Sequence, residues 1–89
     1  MGNKMIKSWS DDAWKDYMYW HQQNDKATIR KINNLIKSID RTPFEGLGKP
    51  EALRNDLSGY WSRRITQEHR LVYRIKDDEI QILSCRYHY

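Results

Sequence analysis

The sequence predicts an α+β fold, with a two-helix hairpin packed on one face of a mainly antiparallel sheet of four to five strands. Three observations carry this. Apolar residues recur at gaps of three and four through the first half of the chain. The last third is rich in aromatic and β-branched residues with stretches of alternation. Between them lies a connection that carries three glycines and a proline. The length of 89 residues suits a single domain over 1–89, with residues 1–4 expected to lie outside it as an extension.

Each element has its own justification. Met5 to Trp9 is short and half apolar, which suits an edge strand. Ser10 offers a helix N-cap, and Asp11 and Asp12 suit the positive end of the helix dipole. From Ala13 to about Gln23, Trp14, Tyr17, Met18 and His21 recur at helical spacing. A second helix begins near Asp25. There Ile29, Ile32, Leu35, Ile36 and Ile39 form an apolar stripe, with Lys26, Arg30, Lys31 and Lys37 on the other side. Pro43 ends it, because proline cannot continue the hydrogen-bond ladder. "GLGKPEALRNDLSG" reads as a long, partly irregular connection of the kind that often carries function. "YWSRRI", "HRLVYRI" and "EIQILSCRYHY" read as an antiparallel meander turning at Thr66-Gln67-Glu68 and at Asp77-Asp78.

Sixteen Lys and Arg against twelve Asp and Glu give a net charge of +4, which points to a polyanionic partner. A single cysteine cannot form an internal disulfide, so a reducing compartment is expected. "MGNKMIKSWSDD" lacks the apolar run of a signal peptide, and no stretch approaches a membrane-spanning length. A cytoplasmic protein without a membrane partner is the expectation.

Arg63, Arg64, Arg70, Arg74 and Arg86 interleave with Tyr60, Trp61, Tyr73 and Tyr87. This mixture suits RNA, because guanidiniums hold phosphates while rings stack on unpaired bases. The competing reading is a sheet whose rings are core and whose arginines reach for water, and for Trp61 and Tyr73 it is the better one. RNA also brings its own nucleophile, the 2′-hydroxyl. A metal-free site therefore needs a base, an acid and a cation. Glu51 in the glycine-rich connection, Arg70 and His88 supply those types. Taken singly, an exposed glutamate and a terminal histidine are more often inert.

Register gives a sharper criterion. A two-residue turn at Asp77-Asp78 pairs Ile75 with Ile80 and Arg70 with Cys85, which sends His88 to the face away from Arg70. A one-residue slip or a bulge opposes Arg70 to Arg86 instead and brings His88 to the same face. The sequence leaves this open.

Other motifs carry less. "GLGK" lacks the spacing, the Ser or Thr and the preceding strand of a phosphate loop. His69, Cys85 and His88 lack the spacing of zinc ligands, so no metal or other cofactor is expected. Cys85 suits a small buried side chain better than a nucleophile.

"FEGLGKPEAL", "LSGYWSRRITQEHRLVY" and the terminal "CRYHY" closely resemble the YoeB-type toxins of bacterial toxin–antitoxin modules, within the RelE-like mRNA interferase superfamily. The resemblance runs from about Met5 to Tyr89, with the "HQQND" connection one residue longer than the pattern. It implies a microbial-ribonuclease-like fold and cleavage of mRNA in the ribosomal A site of a bacterial cytoplasm. It assigns Glu51 as general base, Arg70 to the phosphate, His88 as general acid and Tyr89 to substrate placement. Arg64 is a further phosphate-facing candidate, and Arg63, Lys49, Arg54 and Arg86 complete the expected RNA-binding set. The implied partners are mRNA, the ribosome, a YefM-like antitoxin and a second copy of the chain. Two alternatives stand beside this reading: a ribonuclease that needs no ribosome, and a non-catalytic basic module that occupies RNA or a protein.

Overall fold

The computed structural model describes residues 4–87. The chain runs β1 (Ile6–Trp9), α1 (Asp11–Gln22), α2 (Lys26–Arg41), β2 (Glu51–Ala52), β3 (Trp61–Arg64), β4 (Arg70–Lys76) and β5 (Glu79–Ser84), with a single 3-10 turn at Asn55–Leu57. The strands form one sheet in the order β1-β5-β4-β3-β2. All neighbours are antiparallel except β1, which joins β5 in parallel at the edge.

Local chemistry explains the boundaries. The Ser10 hydroxyl accepts from the Ala13 N–H at 2.9 Å and donates to the Leu83 carbonyl at 2.8 Å, so one side chain caps α1 and ties it to β5. Asp25 caps α2, accepting from the Thr28 N–H at 3.1 Å and the Thr28 hydroxyl at 2.8 Å. These bonds hold its carboxyl below the ordinary range. Asp77 and Asp78 both take positive φ (53° and 59°), the conformation of a two-residue hairpin turn.

The α2 stripe packs as expected. Ile32, Leu35 and Ile39 are fully buried against Leu71, Tyr73, Ile80 and Ile82. Fully burying such side chains stabilises by about 1.5–3 kcal/mol each. On α1 the inward face differs from the expected stripe: Ala13 and Trp20 are buried, whereas Trp14 and His21 are exposed. The small side chain of Ala13 lets the helix lie close to Cys85, whose thiol approaches the Ala13 carbonyl at 3.6 Å. Trp14 is left to edge-stack on Trp9.

The end of the sheet departs from simple pairing. Ile75 pairs with Ile80 as expected, but the β4–β5 register shifts between Tyr73, opposite Ile82, and Val72, opposite Ser84. Leu83 is the extra residue of a bulge. The last strand stops at Ser84 and does not run on through residues 85–87 as expected.

Candidate functional site

Residues directly opposite across an antiparallel ladder share a face, as do residues two apart on one strand. Arg63 bonds to Ser38 of α2, so Arg63 marks the helix face. The other face carries Ser62 and Arg64. Glu51 is opposite Ser62, Ser62 is opposite Val72, and Arg64 is opposite Arg70. Glu51, Arg64 and Arg70 therefore stand on one open face, with the buried Ser62 and Val72 as its floor. Ladder spacings place the Cα of Glu51 about 8 Å from Arg64 and about 12 Å from Arg70. Two arginines directly opposite repel by up to about 1 kcal/mol, a cost that an anion between them would remove. Among the described residues the only ion pair is Lys7–Asp40, so Glu51 neutralises neither arginine.

The arginines differ in what they do. Arg63, expected on RNA, is fully buried. Its Nε donates to the Tyr73 hydroxyl at 3.1 Å. Nη1 donates to the Ser38 hydroxyl at 2.8 Å and the Leu47 carbonyl at 2.9 Å. Nη2 donates to the carbonyls of Thr42 at 2.7 Å and Glu45 at 2.9 Å. All five donors of a guanidinium are thus used, and none is left for a phosphate. The Tyr73 hydroxyl, raised in pKa by burial against the opposing influence of Arg63, donates onward to the Pro43 carbonyl at 2.6 Å. Arg63 is a hub that holds the 42–48 segment against β3 and α2. Gly48 fits that segment because its φ is +86° and a Cβ there would meet Leu35 Cδ2 at 2.6 Å. The Gly48 carbonyl then accepts from the Arg64 N–H at 2.7 Å.

Arg70 braces the preceding turn through Nη1, donating to the carbonyls of Thr66, Gln67 and His69 at 2.9–3.2 Å. Arg64 and Lys49 are exposed. Together with Lys31 they line a cavity of about 350 Å³ beside the Arg64–Arg70 row, with no carboxylate among the lining residues. Lys31 was expected on the solvent side of α2; its position on the flank of the helix, level with β3, brings it in. Arg54 is exposed just beyond β2. Arg86 turns toward α1, its guanidinium 3.4 Å from the Tyr19 ring centroid and 4.4 Å from that of Tyr87, and not onto the row with Arg70.

The chain beyond β5 is pinned beside Arg70. The Cys85 N–H donates to Asp16 at 3.0 Å, and the Cys85 carbonyl accepts from the Trp20 indole at 3.0 Å. The Tyr87 N–H donates to His69 Nδ1 at 2.7 Å, and the Tyr87 carbonyl accepts from the Arg70 N–H at 3.1 Å. His69, which the sequence offers only as a metal-ligand candidate, is the acceptor that holds the tail, with its ring edge-on to Trp20 at 4.8 Å. Burial raises the Asp16 carboxyl, although the Cys85 N–H and Arg86 work against this. Burial, aided by the Asp16 charge, pushes the Cys85 thiol up to about 12, so it is a neutral packing group. The bulge at Leu83 supplies the shift in register, but the ladder ends at Ser84 and Arg86 does not stand opposite Arg70; His88 and Tyr89 lie outside the described residues.

Residues 9–89 match the family model for the YoeB-like toxin of bacterial type II toxin–antitoxin systems. The chain is 62% identical over 81 residues to Toxin YoeB of Escherichia coli K12, covering 91% of this chain and 95% of the relative. Among solved structures it is similar to a YoeB/ParE toxin from Agrobacterium tumefaciens (49% identity, TM-score 0.91, covering 96% of this chain and 100% of that one). It is also similar to the toxin in a heterotetrameric YoeB–YefM complex from Staphylococcus aureus (53% identity, TM-score 0.87, 98% and 100%). A YoeB dimer from Staphylococcus aureus is likewise similar (53% identity, TM-score 0.88, 98% and 100%). With its two-helix layer, its five-stranded sheet and these relatives, the chain belongs to the family of YoeB-like toxins of bacterial type II toxin–antitoxin systems.

Proposed function

We propose that this protein is a ribosome-dependent endoribonuclease that cleaves mRNA in the ribosomal A site and so stops translation. The observation that carries the reading is the placement of Glu51, Arg64 and Arg70 on one open sheet face. In the proposed reaction Glu51 takes the proton of the 2′-hydroxyl, which attacks the adjacent phosphorus. Arg70, with Arg64 opposite it, holds the charge that builds on the phosphoryl oxygens. His88 gives a proton to the departing 5′-oxygen, and Tyr89 helps to place the substrate. The products are a 2′,3′-cyclic phosphate and a 5′-hydroxyl end. Lys49 and Arg54, either side of Glu51, and Lys31 attract the flanking backbone.

The face is shallow, and Glu51 stands exposed on a strand of two residues. Such a site does little to orient a flexible RNA, which favours a substrate held by the ribosome over naked RNA. A YefM-like antitoxin with an acidic, flexible segment would complement the basic face, and self-association is a further proposal. The test compares purified protein on programmed ribosomes with the same mRNA free in solution. The reading expects cleavage only on ribosomes, leaving 5′-hydroxyl ends. Equal rates on free RNA would replace it with a ribosome-independent ribonuclease, and no cleavage on either with a binding module.

A further inference from the structure

A second groove lies on the same open face, one ladder row beyond Glu51. Tyr60 directly precedes β3, where Trp61 pairs with Tyr73, and the Arg74 guanidinium sits 5.2 Å from the Tyr60 ring centroid. Arg74 is in turn opposite Gln81 and donates from Nε to Gln81 Oε1 at 2.6 Å. Ser8 continues the row as the partner of Gln81 on β1. These residues, with Ser10 and the bulged Leu83, line a groove of about 270 Å³, near the low end of small-ligand pockets. No carboxylate lines it, and Glu79 lies behind its rim, accepting from the Ser8 hydroxyl at 2.9 Å and from Gln81 Nε2 at 3.4 Å. Among the described residues the terminal nitrogens of Arg74 make no hydrogen bond, so the guanidinium is oriented by Gln81 while its outer edge stays available.

Arg74 lies four positions along β4 from Arg70, roughly 13 Å. That is too far for Arg74 to share the phosphate at Arg70, and it suits the neighbouring nucleotide of an extended strand. An aromatic face paired with a guanidinium plane, with amide and hydroxyl groups at the rim, is the chemistry that receives an unstacked base. Building on the RNA-cleavage reading, we propose that the Tyr60–Arg74 groove is a nucleobase subsite for the nucleotide flanking the scissile phosphate. The base stacks on Tyr60 or on the Arg74 plane, and the terminal nitrogens of Arg74 meet its edge. The subsite would influence which sequences are cut.

The test has two arms. In the first, Tyr60→Ala and Arg74→Ala are assayed for cleavage on programmed ribosomes across mRNAs that differ in one flanking base. The expected result is a KM raised on the order of 10-fold, with kcat little changed and the base preference flattened. Tyr60→Phe should recover most of the loss. In the second, a fluorescent single-stranded hexaribonucleotide is titrated onto Glu51→Gln protein with and without Tyr60→Ala. Weaker binding with the alanine is expected. Cleavage with unchanged KM and preference in folded Tyr60→Ala and Arg74→Ala would overturn the subsite and leave the catalytic reading intact. Tyr60-dependent oligonucleotide binding with no cleavage by the wild type would do the reverse. Loss of thermal stability in Tyr60→Ala without any change in preference would make the pair a structural brace and also overturn the proposal.

Discussion

Replacing Arg63 with methionine removes five hydrogen bonds while keeping much of the side chain's length. At about 1.5–3 kcal/mol for each bond to a charged group, simple addition would match the whole stability of a small domain, about 5–15 kcal/mol. The sum cannot be taken literally. Thr42, Glu45 and Leu47 lie in an exposed segment, so water can reach their carbonyls once the guanidinium is gone. The hydroxyl of the fully buried Tyr73 keeps its bond to Pro43 but loses the Arg63 donor. A net loss of about 3 kcal/mol is expected, a fall in Tm of roughly 12–24 °C for a domain of this size. Urea melts of wild type and Arg63→Met measure the stability, and amide exchange at Leu47 and Arg64 should speed up locally. A second readout separates hub from RNA contact: the salt dependence of RNA binding should keep its slope, whereas loss of a phosphate contact would reduce it by about 0.7. Stability within about 0.5 kcal/mol of wild type, or a slope changed by that amount, would refute the reasoning.

Other outcomes follow from the same geometry. Cys85, buried and with its thiol pushed up to about 12, should resist iodoacetamide in the native protein at pH 8 and react on unfolding; rapid native labelling would contradict its packing role. Burial raises the Asp40 carboxyl, but the Lys7 ammonium at 2.8 Å and the Met5 N–H outweigh it and hold it low, as the Thr28 bonds hold Asp25. Stability from Asp25 and Asp40 is therefore present above the ordinary value of 3.8 and is lost as pH falls below it through the lowered folded values. Asp16, raised by burial, has the opposite sign: its contribution is complete below 3.8 and is lost as pH rises through its folded value. Asp40→Asn should accordingly flatten the acid limb of a Tm-against-pH curve, and Asp16→Asn should not; the reverse pattern would contradict these assignments.

Much of this was legible in the residues. The α2 stripe, the Asp77–Asp78 turn and the strand run of the last third follow from periodicities that packing enforces directly. What was hidden depends on parity and on single long-range contacts. Arg63 and Arg64 are adjacent and chemically alike, and only the ladder decides that one points into the protein and the other onto the open face. The α1 face was shifted because a small residue, Ala13, permits close approach to Cys85, which apolar spacing alone does not reveal. The Leu83 bulge has no local signature, yet it sets Ser84 opposite Val72. Of the proposed site, Glu51, Arg64 and Arg70 were nameable from residue type and resemblance. Their common face, the contribution of Lys31 and the tail-holding role of His69 required the fold.

The central claim is that a carboxylate on this open face acts as the base in RNA cleavage. Glu51→Gln keeps the size and the exposed position but cannot accept the proton. Single-turnover cleavage of mRNA on programmed ribosomes should slow by about 100-fold or more, with the urea melt unchanged. A folded Glu51→Gln protein that cuts at the wild-type rate would contradict the account.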